Sequence, residues 1–487
     1  MRFMERIDND IIIIGAGAVG CAIARELSRY DISVIVLEKE CDVAAGTSGR
    51  NSAVVHAGFN NKPGSLMAKL CVEGNRGFEA LCKQLDVPYK KTGKVLVAFD
   101  DEDLEILKKT IAQGEKNGCE DLRLVDGKEL HSLAPGVGGI GGMYSPNTAI
   151  FSPFQYCIAL AENAAVNGVE FVFNSPVASI LCEEDGFAVK TTKGEYNSRI
   201  VINCAGLFSD KISEMAGVPG YHIYPCRGEY FILDKVADKL PLPAYPAPKP
   251  GIGGLGVHLT PTVDGNLIIG PSAEYIDERE DYSCTSKIMD KLFAEAKQLL
   301  PSLERRDIIG NYAGIRPKQA PPGEGGFRDF VIKEEESCPG LINLIGIESP
   351  GLTASMPIAR MVRDIVGNTL QLTEKRNFIA ERKGILCFRD LSEDEQARLI
   401  SEDPEYGEII CRCQTVTKHE IRQAIENPLG AKSISAIKYR AWATTGRCNG
   451  GYCLTKIVDM LISEYGMKPE EITYRGNGSE MFAGVVK

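Results

Sequence analysis

Two residue patterns in this chain have spacings that suit chemistry. The first is Gly15-Ala-Gly17-Ala-Val-Gly20, which follows the apolar run Ile11–Ile14 and precedes a helix-like stretch from Cys21 to Arg29. A second apolar run, Ile32–Leu37, closes on the acidic Glu38. In that setting Gly15 permits a tight turn, Gly17 lets the backbone approach a pyrophosphate, and Gly20 lets helix and strand pack closely. The helix N-terminus offers unpaired N–H groups to the phosphates, and Glu38 accepts from a ribose hydroxyl. This motif alone leaves FAD and NAD open. The second pattern is Cys411-Arg-Cys413 with Cys448-Asn-Gly-Gly-Tyr-Cys453. Four thiolates in two close pairs suit a tetrahedral metal or an iron–sulfur cluster, and spacing leaves zinc open. Acid–base chemistry near neutral pH has few candidates, since the chain has 5 His.

The elements that must position these groups are legible in outline. Strand, glycine turn, helix and strand make a βαβ unit at the start. From about Phe78 to Ala149 helices mix with short strands. Val169–Phe173, Phe187–Thr192 and Arg199–Asn203 read as strands of a mixed sheet. Tyr230–Leu233, Gly256–Thr260 and Asn266–Ile269 read as antiparallel strands, the last two joined by the hairpin signal Asp264-Gly265. Leu240–Leu255, dense in Pro and Gly, is expected as a lid or a surface connection. Leu341–Ile345 is another buried strand and Thr353–Val366 a helix. Thr417 and Glu420 form a capping box, so a helix should begin just after the first cysteine pair.

Composition bounds the function. At 487 residues the chain has room for two or three domains. A net charge of −11 with no run of Lys and Arg argues against nucleic acid and against an electrostatic membrane anchor. The polar segment from Met1 to Asp10 lacks the apolar core of a signal peptide, and no apolar stretch approaches the length of a membrane span. A cytoplasmic, reducing location is expected, with paired cysteines serving metal or redox chemistry rather than disulfides. The other twelve of the 16 Cys are expected as small buried hydrophobes.

Three signatures resemble the D-amino-acid-oxidase superfamily of flavoproteins. They are Ala45-Gly-Thr47-Ser48-Gly-Arg-Asn51-Ser52, then Arg199-Ile-Val-Ile-Asn-Cys-Ala205-Gly206-Leu-Phe-Ser, then Asn343-Leu-Ile-Gly-Ile-Glu-Ser-Pro-Gly351-Leu352-Thr353. The resemblance implies FAD, held by an α/β Rossmann-like domain of glutathione-reductase type, with an α+β substrate domain. It implies cofactor contacts from Gly15, Gly17, Gly20 and Glu38, from Thr47, Ser48, Asn51 and Ser52, from Val177, Ala205, Gly206 and Gly314, and from Gly351, Leu352 and Thr353. The helix opening at Gly351 would aim its positive end at the flavin. The segment Asn51-Ser-Ala-Val-Val-His56-Ala-Gly58 onward to Lys69, and Gly256-Val-His258-Leu-Thr-Pro-Thr, resemble the branch that holds L-2-hydroxyglutarate dehydrogenases and clostridial-type anaerobic glycerol-3-phosphate dehydrogenases. Ala313-Gly-Ile-Arg316-Pro is similar to a motif of the latter. The cysteine segments resemble the bacterioferritin-associated-ferredoxin-type domain, which implies a small helical module holding a [2Fe–2S] cluster on Cys411, Cys413, Cys448 and Cys453.

This resemblance gives the catalytic expectations. His56 and His258 lie in family-like segments and are the candidate bases, whereas His131 and His419 read as solvent-facing and His222 has no motif around it. Arg316 is the candidate clamp for the substrate anion, with Arg227 a weaker choice and Lys62 and Lys69 weaker still. The expected reaction is oxidation of a small anionic secondary alcohol, glycerol 3-phosphate foremost, with L-2-hydroxyglutarate or another 2-hydroxy acid close behind. An amino-acid dehydrogenase and a purely electron-transferring flavoprotein are the alternatives. Electrons would leave through the cluster to an acceptor protein or quinone pool, with a heteromeric complex as one arrangement and any membrane contact made through a partner. The expected organisation is a catalytic unit over 1–370, with cofactor parts near 1–77, 150–215 and 340–370 and substrate parts near 78–149 and 216–339. A linker follows over 371–407, the cluster module over 408–466 and a tail over 467–487.

Overall fold

The computed structural model describes residues 8–183, 185–234, 240–248, 256–324 and 326–484. The run Ile11–Ile14 lies at the centre of an eight-stranded sheet, within the strand Asp8–Ile14. Parallel neighbours flank it on both sides, Val34–Leu37 on one and Glu195–Asn203 on the other. Outside these, Glu170–Val172 and Cys338–Ile345 continue the parallel core. Strands covered on both faces must be apolar throughout, which is why the four isoleucines run without alternation. Helices Ala18–Leu27, Pro153–Val166 and Gly351–Val366 supply much of the core packed against them. The antiparallel strands Val177–Glu183 and Gly186–Thr191 extend one edge. Val331–Glu335 pairs with Cys338–Ile345 in this same sheet.

The second sheet has nine strands and is mostly antiparallel. Its spine is the long pair Tyr224–Leu233 and Ile308–Lys318, which sets Arg316 opposite Cys226 and Gly314 opposite Gly228. The hairpin His258–Pro261 and Leu267–Gly270 joins it in the register His258 to Gly270. The stretch expected as a lid or connection is partly neither. Leu240, Leu242 and Ala244 are buried, and Ala244–Pro246 is a strand between His258–Pro261 and Lys94–Ala98. Burial of the apolar residues between the prolines drew that stretch into the sheet. Residues 249–255 lie outside the described residues.

The C-terminal cysteines sit in a separate small core of Ile410, Ile421, Ile425, Ile434, Ile437, Ile457 and Leu461. Helix Lys418–Ile425 opens with the Thr417–Glu420 capping box. The tail closes this module: Ile434 and Ser435 donate backbone hydrogen bonds to Thr473 and Tyr474, and Ile472 is buried in the same core. Residues 371–386 run as a strap along the cofactor domain. Asn163 and Asn167 donate to the Ile379 carbonyl at 3.0 and 2.9 Å, and Arg382 pairs with Glu162 at 2.7 Å. Of the twelve cysteines outside the module, six are buried (Cys21, Cys71, Cys82, Cys157, Cys226 and Cys338), whereas Cys182 is exposed. Among the described residues no helix is long and apolar enough to cross a membrane.

Candidate active site and cysteine centre

A cavity of about 550 Å³ runs between the two sheets, from Gly15 and Glu38 at one end to His56, His258 and Arg316 at the other. At the first end Gly15 has φ +104°, and a Cβ there would meet the Cys204 carbonyl at 2.6 Å. Gly20 does not line the cavity; a Cβ there would stand 2.0 Å from the Gly15 carbonyl oxygen, so its absence is what allows the helix to lie on the turn. Glu38 accepts from the Ala16 and Glu40 amides at 2.6 and 2.9 Å. Burial pushes its carboxyl above the usual range against those bonds. Val177, Ala205 and Gly206 line the same end.

The loop from Ala45 to Ser52 crosses the middle, entered and left through the left-handed Ala44 and Ala53, at φ +59° and +57°. Its polar side chains hold its own shape. Ser48 Oγ accepts from the Ala18 amide at 2.9 Å, Thr47 Oγ1 donates to the Ile315 carbonyl at 2.7 Å, and Asn51 donates to the Ser48 carbonyl at 2.7 Å. Gly314 abuts this loop, and Thr353 Oγ1 accepts from the His56 amide at 3.0 Å. Helices Ala18–Leu27 and Gly351–Val366 both begin at the cavity, with Gly17 and Pro350 as N-caps that offer no side-chain acceptor and with no acid in the first turn. Two helix starts without an acid, facing one elongated cavity, fit a large dianionic cofactor such as FAD.

At the far end His56 Nε2 lies 3.3 Å from Ser349 Oγ. Its ring is half-buried and faces the cavity. Burial, then the nearby Lys94 ammonium, pulls its pKa down to about 3, so the imidazole is neutral. His258 Nδ1 donates to the Gly256 carbonyl at 3.0 Å, which leaves Nε2 to accept from Ser52 Oγ at 3.1 Å. Burial pulls this imidazole well below its ordinary range too. Tyr245 stacks on His258 with centroids 3.7 Å apart, and Lys94 Nζ lies 4.3 Å from the Tyr245 ring centre. Arg316 donates to the Ser272 carbonyl at 3.1 Å and contacts Cys226 Sγ at 3.7 Å. Among the described residues it forms no ion pair. Arg227, by contrast, is held by Glu229, Glu274 and Asp281 and serves the fold. Lys62 and Lys69 are exposed away from the cavity, and His222 and His131 are exposed as well. His419 is half-buried, stacked on Tyr406 and bonded to Asp403 at 2.6 Å.

Sequence reasoning missed Tyr245, Lys94 and Ser349 as parts of this end. Ser349 stood inside a quoted signature. Tyr245 and Lys94 come from strands that meet only through long-range pairing, and nothing local marks them.

The four module cysteines stand as two close pairs. Cys413 and Cys448 sulfurs are 3.5 Å apart, and Cys411 and Cys453 lie within hydrogen-bonding reach of each other. Amides of Tyr452, Gly450 and Gly451 point at Cys448 and, with Cys413, hold its thiol below the usual range. Amide donors on a thiol within two neighbouring cysteine pairs fit a thiolate-held metal group.

Residues 10–365 match the FAD dependent oxidoreductase family, and the chain belongs to it. Residues 409–463 match the BFD-like [2Fe-2S] binding domain, so the protein is an FAD-dependent oxidoreductase with a [2Fe–2S] module. It is similar to the glycerol 3-phosphate dehydrogenase of Caloramator mitchellensis, 38% identical over 481 residues, covering 98% of this chain and 99% of that protein. It is 32% identical over 408 residues to the mitochondrial L-2-hydroxyglutarate dehydrogenase of Caenorhabditis elegans, covering 74% of this chain and 94% of that one. Among solved structures it resembles the FAD-bound L-alpha-glycerophosphate oxidase of Mycoplasma pneumoniae, with TM-score 0.72 and 28% identity over 78% of this chain and 98% of that one.

Proposed function

We propose that the protein oxidises sn-glycerol 3-phosphate to dihydroxyacetone phosphate. The observation that carries this reading is Arg316, a cation that forms no ion pair among the described residues, in one cavity with two uncharged imidazoles. A guanidinium grips a phosphate bidentately and fixes the secondary alcohol beside His56. His56 Nε2 accepts the hydroxyl proton, and the negative charge of the bound phosphate raises its basicity from the resting state. His258, with both ring nitrogens engaged by Gly256 and Ser52, fixes the Ser52 end of the loop that lines the substrate end of the cavity. When bound, FAD supplies the acceptor for the hydride leaving C2, and the [2Fe–2S] cluster gives the electrons a one-at-a-time outlet. Glycerol 3-phosphate is favoured over a 2-hydroxy acid because the similarity to the Caloramator protein spans the cysteine module. L-2-hydroxyglutarate is the second reading, supported by relatives that match the oxidoreductase portion.

The domain reading that goes with this is a catalytic unit over 1–370, a strap over 371–407, an electron-outlet module over 408–466 and a tail over 467–487. A reducing cytoplasm suits four free thiolates. The test is an anaerobic absorbance spectrum before and after each substrate. Rapid bleaching of the flavin band by glycerol 3-phosphate alone supports the reading; bleaching by L-2-hydroxyglutarate alone replaces it with the second. His56→Ala or Arg316→Ala should keep bound FAD yet slow substrate-driven bleaching by at least about a hundredfold. Unchanged rates in both variants would remove these roles.

A further inference from the structure

The four cysteines are not equally placed. Cys411 and Cys453 are 1% and 0% exposed, whereas Cys413 and Cys448 are on the surface. Whatever the thiolates hold therefore has one edge open to solvent. Cations crowd that edge. Arg412, between the first two ligands, lies 4.2 Å over the Tyr452 ring, and Lys456 lies 5.4 Å over the same ring. Arg447, next to Cys448, is 92% exposed. Asp234 touches Arg447 at 3.3 Å, but among the described residues no carboxylate pairs with Arg412 or Lys456. In a chain of net charge −11 this concentration is local. The module's other side is already engaged: Arg440 is buried against Asp42 and Glu162 of the cofactor domain, at 2.6 and 3.0 Å, and Trp442 meets Phe154.

We propose that the face carrying Cys413 and Cys448, ringed by Arg412, Arg447 and Lys456, docks a small acidic one-electron carrier protein. Complementary charge steers encounter and fixes orientation, and a short-range electron hop needs both. Each alcohol oxidised releases two electrons and two protons. Two oxidised carriers dock in turn and take one electron each, and the protons pass to solvent. An anionic membrane surface would meet the same cations, but three of them fall short of the roughly four to eight Lys and Arg that make a polybasic membrane contact.

This rests on the reading of the module as electron outlet, and one experiment separates the two. Full-length holoprotein is mixed with oxidised acidic ferredoxin, basic cytochrome c, or phosphatidylglycerol vesicles, and binding is measured at low and high salt. The proposal expects ferredoxin binding that weakens steeply with salt, and at least about tenfold weaker binding in Arg412→Glu/Lys456→Glu. The visible spectrum of that variant checks that its cluster is present, and Lys456→Glu alone serves if the double variant loses it. Salt-insensitive or variant-insensitive ferredoxin binding, or binding to vesicles instead, would overturn the docking proposal. Bleaching of the cluster's own absorbance by substrate, without carrier, tests the outlet. If the flavin bleaches and the cluster never does, the outlet reading fails; if both bleach and ferredoxin does not bind, only the docking proposal fails.

Discussion

Lys94 has no exposure and, among the described residues, no hydrogen-bond partner; its ammonium sits between the rings of Phe59 and Tyr245, at 4.6 and 4.3 Å. Burial, partly offset by the Cys71 thiol, pulls its pKa from 10.5 down to about 7. Between those two values the unfolded chain holds a proton that the folded protein has released, so stability rises with pH across that window. Lys94→Met keeps much of the volume and removes the charge. It should flatten this rise, seen as melting temperature against pH between about 7 and 10. It should also release His56 from a repelling charge, moving the acid limb of the kcat/KM profile upward in pH. A limb that stays in place would separate Lys94 from the catalytic histidine. None of this was legible in the sequence, where Lys94 is one polar residue before an apolar run. The glycine turn, Glu38 and the cysteine pairs were legible because their meaning is local: each depends on neighbours within one turn, strand end or short loop.

Elements show the same division. The parallel strands and their helices follow from uninterrupted apolar runs, and the hairpin at Asp264-Gly265 from its turn residues. Ala244–Pro246 follows from neither, because its place is decided by strands about 150 residues upstream and 15 downstream, counted along the chain. The loop before the second cysteine pair is a case where tertiary contact dictates a residue. A Cβ at Gly446 would stand 2.1 Å from Cys413 Cβ. Gly446→Ala should therefore spread the ligand set and lower iron and acid-labile sulfide per chain, while flavin content stays at wild-type level. Full iron occupancy in that variant would show that the two cysteine loops move independently.

At the scale of the molecule, one carboxylate joins three stretches of chain. Glu162, on the helix Pro153–Val166, takes Arg382 from the strap at 2.7 Å and Arg440 from the cysteine module at 3.0 Å. Arg440 also grips Asp42, which leads into the loop crossing the cavity. Arg440→Met strands Asp42 in a buried place and leaves Glu162 with Arg382 alone, at a cost of about 3–5 kcal/mol. The consequence is calorimetric. A module hung on a slack tether would melt by itself, giving two endotherms, whereas segments bound through a common buried acid should share one. Wild type should give a single heat-absorption peak, stripping the iron should shift that whole peak downward, and Arg440→Met should split it in two.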